Sequence, residues 1–169
     1  GAVEEQKVKE AINLQHDLQS ELYSDKMLFL ESIEPFNGLD EAGLEEICET
    51  MEWKQFPPGE TIQKEGAAGE FFYIFKNGLA RIFMQKDGNE KVVGFLGEGD
   101  FCGATAFLSD GINPSSVVTI EHSLCLAQEK KAFEAMIEIY PKIAGYFNEL
   151  IIRQSKRIFT KLLAAGTGA

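Results

Sequence analysis

Positive charge and metal-binding side chains are both scarce in this chain of 169 residues. Sixteen Lys and Arg stand against 27 Asp and Glu, a net charge of −11. Such a field repels phosphate backbones and anionic lipid, so neither nucleic acid nor a membrane is expected as a partner of this segment. Cysteine is limited to Cys48, Cys102 and Cys125, an odd number with no Cys-x-x-Cys pair. That argues against a disulfide framework, a zinc site or a four-cysteine iron–sulfur cluster. His16 and His122 are the only histidines, too few for a metal-dependent double-sheet barrel, which needs several ligands on neighbouring strands. No Gly-x-Ser-x-Gly elbow, phosphate loop with Lys or dinucleotide fingerprint occurs, so no catalytic residues are expected and the chain is read as non-enzymatic. No apolar run approaches 18 residues and no basic flank precedes an apolar core; a cytoplasmic protein without a membrane span is expected.

The composition, 44% hydrophobic, suits one buried core with helical flanks. Residues 3–23 place Leu14, Leu18 and Leu22 four apart, the period of an amphipathic helix. Asp40 precedes Leu44, Ile47, Cys48 and Met51 at helical spacing and is the expected N-cap of a second helix.

From Trp53 onward, glycines punctuate short runs rich in Phe, Val and Ile, a pattern of strands joined by tight turns. Asn77-Gly78 and Asp87-Gly88 separate the runs 71–76, 79–84 and 91–96, which predicts a meander of three antiparallel strands. Further strands are expected at 61–64, 116–120 and 123–128, for seven or eight in all. Residues 129–139 then return to helical spacing, and Pro141 opens a longer helix to about Leu163. Phe147, Leu150, Ile151, Gln154 and Ile158 lie on one side of it, a stripe broad enough for a dimer seam.

The run Pro58-Gly59-Glu60-Thr61-Ile62, then Glu65-Gly66, Phe72-Tyr73-Ile74 and Gly78, continues in order through Gly99-Asp100-Phe101-Cys102-Gly103 to Pro114. It resembles the cyclic-nucleotide-binding domain of catabolite-activator-type regulators, kinase regulatory subunits and gated channels, over about residues 28–163. The resemblance implies a mainly β fold with flanking helices: a double-stranded β-helix, or jelly-roll-like β-roll, with N-terminal helices and a long C-terminal helix. The expected organisation is an N-terminal helical extension (1–27), the roll with its flanking helices (28–140), the long helix (141–164) and a disordered tail (165–169).

In that family a phosphate-binding cassette holds the cyclic phosphate with backbone amides at a short helix, an arginine, and a carboxylate that takes the ribose hydroxyl. Gly103 matches the cassette glycine and Pro114 the proline before the arginine, whereas Ala104 stands in place of the glutamate and Ser115 in place of the arginine. A charge-assisted hydrogen bond is worth about 1.5–3 kcal/mol, so losing the arginine alone weakens phosphate binding by roughly one to two decades. Gly103, Ala104, Thr105, Ala106, Ser115 and Ser116, with Arg153 from the long helix, are therefore the candidate ligand-binding residues, for a small-molecule effector other than a standard cyclic nucleotide. The alternatives are a cyclic AMP or cyclic GMP receptor that compensates with backbone amides and Arg153, and a ligand-free dimerisation module. Some members of the superfamily bind haem, for which Cys102 or His122 would be the ligand; buried packing of Cys102 is preferred, and no cofactor is expected. Where activator-type members continue into a DNA-binding helix-turn-helix, none is found among these residues, and a homodimer is expected.

Overall fold

The computed structural model describes residues 1–167, apart from the side chains of residues 16–24 and 165–167, and comprises two units, Gly1–Cys48 and Glu49–Ala169. In the first, α1 (Ala2–Glu31) is longer than its leucine spacing predicts because Phe29 and Leu30, both buried, extend the apolar face. Residue 28, the expected start of the roll region, falls inside this helix. Leu14 is exposed, while Leu18 and Leu22 lie outside the described side chains. After a 3-10 turn at Phe36–Gly38, α2 (Glu41–Glu49) is capped as expected, with the Asp40 carboxylate accepting from the Gly43 amide at 2.8 Å.

The second unit holds eight strands in two four-stranded antiparallel sheets. One has the order β1 (Met51–Phe56), β8 (Ser123–Glu129), β3 (Phe71–Asn77), β6 (Phe101–Cys102), and the other β2 (Thr61–Gln63), β7 (Ser116–Thr119), β4 (Ala80–Lys86), β5 (Asn89–Leu96). The expected β-roll with flanking helices is the fold observed. The helices are α3 (Ala104–Phe107), α4 (Lys130–Ile139) and α5 (Pro141–Thr167). Pro141 opens α5, where a missing amide hydrogen costs nothing. The first three residues of the expected tail continue this helix, and the last two lie outside the described residues.

The predicted three-strand meander is corrected. Asp87-Gly88 does close a hairpin between β4 and β5, with φ of 53° and 81°, as the turn type requires. Asn77-Gly78, however, carries the chain from one sheet to the other, and β3 pairs with β8 and β6, never with β4. Gly78 (φ 103°) lies so close to Ser123 that a Cβ would collide with it, and Asn77 accepts from the Leu124 amide through its side chain. The dipeptide supplies a positive φ, but contact with the start of β8 turns the chain across the sandwich.

Strand parity sets the two cores. Tyr73 and Phe75 point into the roll with Ala80, Leu96, Val117, Cys125 and Ala127. Phe72 points outward into an aromatic cluster with Phe101, Phe133 and Phe147, at centroid distances of 5.0–5.8 Å, so β3 is buried on both faces. Phe147, expected in a dimer seam, is fully buried within its own unit instead. The outward face ties α4 and α5 to the sheet.

Gly103 sits at φ 99°, and a Cβ there would run into the Phe71 carbonyl oxygen. Gly103→Ala is expected to lower stability by at least about 1–3 kcal/mol from backbone strain alone, read as a fall in denaturation midpoint at unchanged m-value. An unchanged midpoint would contradict this account of the turn.

Candidate ligand-binding site

The turn at Gly103 aims α3 across the mouth of the roll. The following loop is laced to residues 64–69. Asn113 donates from its side chain to the Lys64 carbonyl at 3.0 Å and accepts from Gly66 through its backbone, and the Gly69 amide donates to Gly111. Ser116 accepts from the Glu65 amide at 2.9 Å. The Glu65 carboxylate accepts from the Gln85 amide at 3.1 Å and fastens this loop to β4.

Beneath the loop lies a cavity of about 280 Å³, near the lower end of the roughly 300–1,000 Å³ typical of small-molecule sites. Its floor is the inner face of the second sheet, with Ile82, Met84, Leu96 and Val117. One wall is the cassette, with Gly103, Thr105, Ala106, Pro114 and Ser115, and the other is α5, with Gln154, Ser155, Ile158, Phe159 and Leu162. No charged side chain lines it among the described residues.

Of the candidate residues, Gly103, Thr105, Ala106 and Ser115 line this cavity, while Ala104, Ser116 and Arg153 do not. Adjacent strand residues point to opposite faces, so Ser115 and Val117 turn inward while Ser116 turns to Glu65. Ala104 is buried on the other side of α3, and Arg153 is exposed on α5. The site thus has no arginine from this helix. Arg81 on β4 is engaged elsewhere, 3.4 Å from Glu90 and over the Phe83 ring.

Gln154 and Ile158, expected at a dimer seam, line the cavity, and Leu150 and Ile151 are half-buried. The helical stripe was visible in the sequence; its lower half faces the chain's own roll because α5 folds back over the β4–β5 hairpin. Two lysines hold it there. Lys86 donates to the Leu162 carbonyl at 2.6 Å, and Lys161 to the Val93 carbonyl at 2.9 Å.

Cys102 also lines the cavity. Burial pushes its thiol far above its ordinary value, with the neighbouring Cys125 adding to the shift; burial likewise pushes Cys125 up to about 12 and raises Tyr73. A thiol held protonated is a poor iron ligand, which fits packing as its role. Among the described residues no group of three His, Cys, Asp or Glu is placed to hold a metal ion.

A family model described as cyclic nucleotide-binding domain matches residues 53–140. The chain belongs to the cyclic nucleotide-binding domain family. Within that family it is 33% identical over 109 residues to a cAMP-dependent protein kinase regulatory subunit of Pyricularia oryzae, covering 64% of this chain and 27% of the relative. It spans 14% and 12% of two cGMP-dependent protein kinase forms of Drosophila melanogaster, and so only a fraction of these curated relatives.

Among solved structures, the regulatory subunit of a cAMP-independent protein kinase A from Trypanosoma brucei superposes with a TM-score of 0.68 at 26% identity, over 76% of this chain and 48% of that one. A variant of that subunit with three substitutions, one of them threonine to arginine, is bound to cAMP in its A site. The Trypanosoma cruzi counterpart, bound to guanosine, matches with a TM-score of 0.65 at 25% identity, over 78% of this chain and 50% of that one.

At pH 8, Cys125 should carry about a thousandfold less thiolate than a thiol titrating at its ordinary 9.0. Thiol-reagent titration is therefore expected to find Cys102 and Cys125 silent in the native chain and reactive after denaturation. Both thiols have raised folded-state values. They leave stability unaffected below about pH 9 and erode it as the pH climbs toward 12, because the unfolded chain ionises first. Native Cys102 reacting as fast as a free thiol would contradict the burial argument.

Proposed function

We propose that this domain is a regulatory, non-catalytic sensor that binds a small molecule other than a standard cyclic nucleotide in the cavity under the cassette, and signals through α5. The observation that carries the reading is the cavity's lining. It occupies the cassette side of a cyclic-nucleotide-binding roll yet presents no cation to a phosphate and no carboxylate to a ribose among the described residues. An anion moved there from water loses hydration that nothing replaces. The similarity to a cAMP-independent kinase regulatory subunit supports the same reading.

α5 supplies the output because it is wall and lever at once. Ile158 and Leu162 meet the cavity, while Phe147 is locked into the aromatic cluster on the outer face of β3. An occupant shifts the helix only to the extent that it binds one placement better than the other. Ile152 and Leu163 remain exposed on a neighbouring face of α5, and the expected homodimer, or an output domain, would meet the helix there.

Titration calorimetry tests the reading. Cyclic AMP and cyclic GMP are expected to bind with Kd weaker than about 10 μM. A compound that raises the melting temperature in a metabolite screen is expected to slow amide exchange in residues 154–163. Tight cyclic nucleotide binding, or a stabilising compound that leaves α5 exchange untouched, would sink it.

The lysine clamp is separately testable. Lys86→Met and Lys161→Met each remove a hydrogen bond worth about 1 kcal/mol, and should speed exchange in the last turns of α5 roughly fivefold while leaving the β3 and β8 amides unchanged.

A further inference from the structure

Four neutral polar groups face the cavity with nothing to bind. Among the described residues, no hydrogen bond within the chain takes up the hydroxyls of Thr105, Ser115 and Ser155 or the carboxamide of Gln154. Gln63, by contrast, donates to the Ser115 carbonyl at 3.0 Å. The free groups form two sets: Thr105 and Ser115 on the cassette, Gln154 and Ser155 on α5, with Ile82, Leu96 and Val117 on the floor beneath them.

An anionic occupant would find no counter-charge here. A wholly apolar one would bury the Thr105 and Ser115 hydroxyls on the cassette unsatisfied, at a cost of about tenfold in affinity for each, while Gln154 and Ser155 at the exposed rim keep access to water. What fits is an uncharged molecule with an apolar body over Ile82, Leu96 and Val117, hydroxyls toward the cassette and a paired donor and acceptor toward α5. Hydroxyls meet hydroxyls because each is both donor and acceptor, and a carboxamide presents one donor face and one acceptor face, the complement of a base edge. Taking the cavity as the ligand site, as above, we infer that its occupant is an uncharged nucleoside, with Gln154 reading the base edge and Thr105 and Ser115 taking the sugar hydroxyls. A related subunit solved with guanosine, and another solved with cAMP in a variant that includes a threonine-to-arginine substitution, point the same way.

Calorimetric titration of the whole chain with guanosine, adenosine, cyclic GMP and cyclic AMP, each to about 1 mM, decides the matter. At least one nucleoside should bind about tenfold or more tightly than its cyclic nucleotide, and Gln154→Ala should weaken it about tenfold. Gln154 is exposed, and alanine suits a helix, so this variant is expected to fold. Ser115→Arg should reverse the preference in favour of the cyclic nucleotide. If a cyclic nucleotide binds the unmodified chain more tightly than any nucleoside, both the nucleoside assignment and the proposed function are overturned. If no nucleoside binds but another uncharged compound from the melting screen does, the assignment falls and the proposed function stands. Nucleoside binding undiminished in Gln154→Ala overturns the role given to that residue.

Discussion

The aromatic packing of the cassette and the C-terminal helices against the first sheet runs through β3, a strand with no free face. Its odd-numbered aromatics fill the roll, while Phe72 meets Phe101, Phe133 and Phe147 beyond it. Sheet, cassette and both C-terminal helices of this unit therefore share one set of contacts. Because interiors pack at near-crystalline density, a displacement on one side of β3 has little room to be absorbed locally. On the proposed reading, this packing would couple a change under the cassette to the position of α5 without a dedicated pathway of residues.

Much of this was readable from the residue order. The glycine-punctuated strands, the Asp40 cap, the Asp87-Gly88 hairpin and the proline-initiated last helix all follow from local rules, and local rules suffice wherever a turn returns a strand beside itself. They failed at Asn77-Gly78, since a positive φ permits a turn without saying whether the chain comes back or crosses; Ser123, distant in sequence, decides it. The site was legible to the same extent. Gly103, Thr105, Ala106 and Ser115 come from the cassette pattern, whereas placing Ser116 with Ser115 ignored the alternation of a strand. Ile82, Met84 and Leu96 could have been found by parity, once the strands were assigned. Gln154 could not, because a helical stripe reports that a face is covered and never what covers it.

Electrostatics explain why an uncharged interior is stable in so acidic a chain. With a net charge of −11, a carboxylate in the roll would add self-repulsion to its desolvation, and an anionic guest would meet the same field. The α5 contacts respect this limit. Lys86 and Lys161 seek backbone carbonyls, which are neutral and already oriented, so helix docking draws on no buried acid.

The cysteine placement has one last consequence. Cys102 is registered with Tyr73 and Cys125 with Phe75, on the strands flanking β3. With strands spaced about 4.7–4.9 Å apart, their backbones stand roughly 9.5 Å or more from each other, beyond the reach of a sulfur–sulfur bond. Oxidation therefore cannot cross-link the roll internally through this pair, and the two strands beside β3 stay tied by packing and hydrogen bonds alone.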